Sequence, residues 1–72
     1  MTATELFATE VGHTAGEIWQ LLHDKGSLTI TEIVKIVDAP RDQIMQSIGW
    51  LAREGKLTVH AEGRRKIAML LA

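Results

Sequence analysis

The sequence predicts a mainly α domain in which three helices are followed by a small C-terminal β-hairpin. Three observations carry that expectation. Thr14 with Glu17, and Thr29 with Glu32, have the spacing of capping boxes. Apolar residues then recur at helical intervals as far as the Glu54-Gly55 step, and beyond Gly55 the apolar period drops from about 3.6 to 2. At 72 residues the chain is one domain at most. It can bury only about 60% of the surface its unfolded form exposes, which leaves little room for a deep catalytic pocket. A composition with 46% hydrophobic residues and one Pro excludes a disordered chain. The absence of Cys excludes a disulfide framework and a thiolate metal site.

The first helix is expected to begin near Ala15, after the Thr14 cap. Ala15, Ile18, Trp19, Leu21 and Leu22 then share one side of a helical wheel, opposite Gly16, Glu17, Gln20, His23 and Asp24. Gly26 ends the helix as a left-handed cap. Residues 1–11 are either a frayed segment or an extension of this helix, since Gly12 interrupts the pattern and Leu6 lies off its stripe. Trp19 flanks the stripe and is assigned to the core.

The second helix follows Thr29 and buries Ile30, Ile33, Val34 and Val37. The run is rich in β-branched residues and could form a strand, but its capping box, Lys35 and the turn at Asp38-Ala39-Pro40 agree on a short helix. The third helix follows Pro40, which has no N–H to leave unpaired at a helix start. Ile44, Ile48 and Leu51 form its inner stripe, with Ser47 and Ala52 beside it and Gly55 closing it. Asp42, Gln43, Gln46, Gly49, Trp50 and Arg53 lie on its outer face.

In the hairpin, Leu57 and Val59 alternate with Thr58 and His60, and Ile67, Met69 and Leu71 alternate with Ala68 and Leu70. If the larger residues of both strands share a face, parity admits a three-residue loop pairing Leu57 with Ile67. It also admits a five-residue loop pairing Val59 with Ile67 and Leu57 with Met69. A two-residue loop at Glu62-Gly63 opposes Val59 to Lys66 and is rejected.

Helix, short segment, helix, tight turn, helix and two-stranded ribbon together resemble a winged helix-turn-helix domain. Ser27–Thr29 is admissible as a third short strand. The likeness is most specific over Ile44 to Leu57, IMQSIGWLAREGKL. GEIWQLL in the first helix and GWLAREGK at Gly49 to Lys56 resemble a family of small, functionally uncharacterised prokaryotic winged helix-turn-helix proteins, over roughly Val11 to Leu71. The resemblance implies that Arg41 to Glu54 is a recognition helix and Lys56 to Leu71 a wing. It also implies double-stranded DNA as partner, with the helix in the major groove. On that reading Gln43, Gln46 and Ser47 are the candidate base-edge readers, since Gln suits bidentate contact with adenine. Arg41, Arg53, Lys56, Arg64, Arg65 and Lys66 are the candidate phosphate contacts.

The formal net charge of −1 conceals two opposed halves. Residues 1–40 hold two basic and six acidic groups, a net of −4, and residues 41–72 hold six basic and three acidic groups, a net of +3. The basic half contains the expected recognition helix and wing, although Asp42 and Glu54 cancel Arg41 and Arg53 on that helix. The wing and a second subunit are therefore expected to supply most of the attraction to phosphate.

Trp50 lies about 120° around the wheel from the inner stripe of its helix. Packing under the wing or the N-terminal segment is the first expectation for it, and a homodimer interface is its leading functional assignment, ahead of contact with DNA. Arg64-Arg65-Lys66 is either a phosphate clamp or a solvated turn whose charges discourage strand-edge association. His13, His23 and His60 show no metal-ligand spacing. GHTAG at Gly12 to Gly16 lacks the ending of a phosphate-binding loop. No catalytic constellation, cofactor site or metal site is expected. Met1 to Glu10 carries no Lys or Arg, and no apolar run approaches the roughly 20 residues that cross a bilayer. The expectation is a cytoplasmic, homodimeric, non-enzymatic DNA-binding regulator or accessory factor. The alternative is a winged helix that binds protein through Trp50 and the outer face of its third helix.

Overall fold

The computed structural model describes residues 1–71. Its elements are α1 (Ala3–Lys25), β1 (Ser27–Thr29), α2 (Ile30–Ile36), α3 (Arg41–Arg53), β2 (Leu57–Glu62) and β3 (Arg65–Leu70). The strands form one antiparallel sheet in the order β1-β3-β2. This is the winged helix architecture, and Ser27–Thr29 is a strand, paired with β3 through Ser27 opposite Met69 and Thr29 opposite Ile67.

α1 differs from the expectation. It starts at Ala3, and its capping box is Thr2 with Glu5: the Glu5 N–H donates to Thr2 Oγ1, and the Thr2 N–H donates to Glu5 Oε1, both at 3.1 Å. Residues 3–11 are thus a helical extension. Thr14 is buried mid-helix, and Glu17 instead meets His13 at 2.9 Å. A mid-helix glycine costs about 1 kcal/mol relative to Ala. Full burial of a side chain such as Ile18 or Leu22 contributes about 1.5–3 kcal/mol, so packing carries the helix through Gly12 and Gly16. Val11, Thr14, Ala15, Ile18 and Leu22 form its buried stripe. Trp19 lies outside the core, 37% exposed and stacked on His23 with ring centroids 5.0 Å apart. Gly26 has φ 89°, as expected of a cap, but ψ −93° places it outside the left-handed helical well.

α2 and α3 form where expected. The Thr29/Glu32 capping box is closed at 2.9 and 3.1 Å. Pro40 is the N-cap of α3, and its carbonyl accepts the Ile44 N–H at 3.0 Å. Ile33, Val37, Ile44, Ile48 and Leu51 join Ala15, Ile18 and Leu22 of α1, and Leu57 and Ala68 of the sheet, in one core.

The hairpin register corrects both alternatives read from the sequence. Leu57 pairs with Leu70, Val59 with Ala68 and Glu62 with Arg65, so the loop is the two residues Gly63-Arg64. Gly63 has φ 64° and, among the described residues, no non-glycine residue has positive φ, the sign pattern of a type II′ turn. The larger residues of β3 do not share the inner face with Leu57. β3 is the middle strand and lies against α1 and α2. That close approach takes a methyl group at Ala68, which is fully buried, and turns Met69 outward, 42% exposed.

Candidate nucleic-acid interface

α3 presents a buried face, an exposed face and two flanks. Ile44, Ser47, Ile48 and Leu51 are buried. Asp42, Gln46, Gly49 and Arg53 are exposed on the opposite side. The flank of α3 nearest α1 is polar and tied down. Gln43 Nε2 donates to Thr14 Oγ1 at 2.8 Å, and the Ser47 hydroxyl lies 3.1 Å from the Val11 carbonyl and 2.8 Å from the Gln43 carbonyl, as donor to either. Ser47 is fully buried. Of the three glutamine and serine side chains expected at base edges, only Gln46 is thus open to solvent, while Gln43 and Ser47 join α3 to α1.

The other flank of α3 forms a shallow groove with the start of α2 and the turn between β2 and β3. Arg41, Met45, Arg64, Arg65 and Lys66 line it together with Thr29 to Glu32. The tight Gly63-Arg64 turn is what returns β3 toward α2 and brings Arg64, Arg65 and Lys66 beside Arg41, more than twenty residues away in sequence. Four cationic side chains face one carboxylate there, a local net of +3. The Glu32 carboxyl is held below its ordinary pKa, first by the Thr29 backbone N–H, then by the Thr29 side chain, with Arg65 and Lys35 adding attraction. Glu32 therefore stays ionised as the helix cap and offsets one positive charge.

Arg53 and Lys56 lie at the far end of α3, outside this groove, and Lys56 Nζ sits 3.7 Å from Glu54 Oε1. Trp50 is half-exposed and lines a second groove with Trp19, Gly12 and Gly16. Two contributors escaped the sequence reading. Met45, 38% exposed, was legible as a residue off the Ile44-Ile48-Leu51 stripe. The part played by Thr29 to Glu32 carried no local signal, since the wing turn brings it into the groove. Among the described residues there is no group of three or more His, Cys, Asp or Glu side chains placed to hold a metal ion. Nor, among them, is any helix long and apolar enough to cross a membrane.

Solved structures share this architecture. HlyU from Vibrio cholerae N16961 superposes with a TM-score of 0.72 at 18% identity, over 100% of this chain and 83% of that one. An ArsR family transcriptional regulator superposes with a TM-score of 0.66, also at 18% identity, over 99% of this chain and 77% of that one. Among curated protein sequences none matches the chain. The profile of one family spans residues 1–70, nearly the whole of the helices and sheet described above, and the chain accordingly belongs to the winged helix-turn-helix domain family DUF2582.

Proposed function

We propose that this chain is a non-enzymatic DNA-binding protein, a transcriptional regulator or accessory factor that binds duplex DNA as a homodimer. One observation carries the reading. Arg41 of α3 and Arg64, Arg65 and Lys66 of the wing converge on one groove beside the exposed Gln46. Such a patch attracts phosphate independently of sequence, while an amide on the adjoining helix reads a base edge. Arg41, Arg64, Arg65 and Lys66 are assigned to phosphate, Gln46 to a base edge and Met45 to apolar contact such as a thymine methyl. Arg53 and Lys56 serve as outer phosphate contacts. Gln43 and Ser47 set the angle of α3 through α1. A transcriptional regulator among the structural neighbours supports the same reading.

The outward face of α3 suits close approach to a duplex. Gly49 sits on it, and a Cβ built there meets nothing within 4 Å. With its C-cap Glu54 counted, α3 carries no net charge, so the wing supplies much of the attraction, and a second copy doubles it. The test is titration of the chain with mixed-sequence duplex at low salt, followed by duplex anisotropy. Binding whose log affinity falls by about 0.9 per log unit of salt for each phosphate neutralised supports the reading. No response at low salt overturns it. A second reading, a protein-binding winged helix, is favoured by the half-exposed Trp50, and it predicts that same absence of response.

A further inference from the structure

Both tryptophans of the chain line one groove, on the side of α3 away from the basic groove. On α1, Gly12, Ala15, Gly16 and Trp19 fall within about 100° of the helical wheel, and a Cβ at either glycine meets nothing within 4 Å. The floor is therefore bare backbone with open space above it. Trp19 is held by its stack on His23, at a centroid distance of 5.0 Å and an interplanar angle of 15°. The other wall is the end of α3, where Trp50 and the C-cap Glu54 stand one turn apart on the same flank. Gly55, with φ 72°, then reverses the chain, and the Lys56 N–H donates to the Leu51 carbonyl at 2.9 Å. Lys56 is thereby returned beside Glu54, with Nζ 3.7 Å from Oε1.

The spacing and exposure of that pair leave both groups able to take a ligand. At 3.7 Å they attract without sharing a hydrogen bond, and the Lys56 and Glu54 side chains are 55% and 37% exposed. Ammonium donors and carboxylate lone pairs both remain available. One charge of each sign leaves the groove without net charge, so a simple anion or cation meets one attraction and one repulsion. A zwitterion whose own charges are equally close together meets two attractions. The rest of the lining is two partly exposed indoles, Leu71 and glycine backbone. Such a surface suits a flat ring, which stacks on an indole face.

We propose that this groove binds a free aromatic α-amino acid. Its ammonium pairs with Glu54, its carboxylate pairs with Lys56, and its ring lies over Gly12 and Gly16 against Trp19 and Trp50. The volume, about 630 Å³, falls within the roughly 300–1,000 Å³ of small-molecule sites. A ligand seated there leaves Arg41, Gln46 and the wing uncovered, so this site is separate from the DNA surface proposed above.

The test follows the two indole N–H resonances of the full chain by NMR during titration with L-phenylalanine, using phenethylamine and 3-phenylpropionate as single-charge analogues. Both signals are expected to shift saturably at millimolar L-phenylalanine, and each analogue to bind about five- to tenfold more weakly. Glu54→Gln is expected to abolish the preference for L-phenylalanine over 3-phenylpropionate, and Lys56→Gln the preference over phenethylamine. Gly16→Leu fills the floor and is expected to remove binding of all three. If a variant loses its dispersed amide spectrum, the comparison of the three compounds on the wild type decides. The absence of a saturable shift at either indole overturns the proposal. Equal binding of the three compounds also overturns it, because the charged pair then plays no part. Indole signals that ignore L-phenylalanine but move with protein concentration, alongside a doubled mass in light scattering, give the groove to a second copy and overturn it too. The titration contains no DNA, so each of these outcomes leaves the duplex-binding reading standing.

Discussion

Gln43 and Thr14 are 29 positions apart in sequence and joined by a 2.8 Å hydrogen bond from the glutamine amide to the threonine hydroxyl. One turn along α3, Ser47 stands 3.1 Å from the Val11 carbonyl. The two contacts pin α3 across α1 at neighbouring points and so set the direction in which Gln46 and Arg41 face. Two residues expected from the sequence at base edges instead join α3 to α1.

Ser47→Ala tests that role. It removes a buried hydroxyl and its hydrogen bond, which costs about 1 kcal/mol. In a domain of this size that lowers the thermal midpoint by about 4–8 °C. Calorimetry is expected to show the loss, while duplex affinity measured well below the midpoint changes little. A large affinity loss with unchanged stability would return Ser47 to the DNA surface.

The register of the hairpin makes opposite predictions for adjacent residues. Ala68→Leu forces extra volume between the sheet and the helices and is expected to destabilise by about 1–3 kcal/mol. Met69→Lys replaces an outward side chain and is expected to stay within about 0.5 kcal/mol. Urea unfolding of the two variants distinguishes this register from the alternation that put Met69 inward.

At Gly49, stability and binding are expected to separate. Gly49→Ala supplies a better helix former with open space around its Cβ, and should raise stability by about 0.5–1 kcal/mol. Gly49→Glu fits the free fold equally well but sets a negative charge against phosphate, a juxtaposition that costs several kcal/mol. Its duplex affinity is expected to fall more than about tenfold.

Replacing both Arg64 and Arg65 with Ala is expected to reduce the slope of log affinity against log salt by about 1.8, the contribution of two phosphates. Gln46→Ala should leave that slope unchanged and reduce discrimination between sites by about 1–3 kcal/mol. Anisotropy titrations over a salt series measure both.

Acid should loosen the start of α2. The folded-state pKa of Glu32 lies below its unfolded value because the ionised carboxylate accepts the Thr29 N–H. A depressed carboxyl contributes stability that is present above the unfolded pKa and is lost as pH falls through the folded one. Glu5 behaves likewise at the start of α1. Urea midpoints followed downward from about pH 5 are expected to fall less steeply in Glu32→Gln, which keeps the cap geometry without the titration.

Much of this molecule is local and was legible in its residues. The Thr29/Glu32 box, Pro40, the Ile44-Ile48-Leu51 stripe and the change of period after Gly55 specify α2, α3 and the two strands, because each signal acts over a few neighbouring positions. The charge split at Pro40 located the basic surface for the same reason. What the tertiary structure decided was everything that depends on distance through space. Thr14 and Glu17 match a capping box, yet the buried stripe from Val11 to Leu22 outweighs it and keeps α1 helical from Ala3. Ala68 rather than Met69 faces inward, because the approach of α1 and α2 to the middle strand leaves room there for one methyl group. Ser47 is buried while Trp50, three residues on, is half-exposed. The helical wheel ordered those two side chains around α3, and only the position of α1 determined which of them would meet protein and which would remain open.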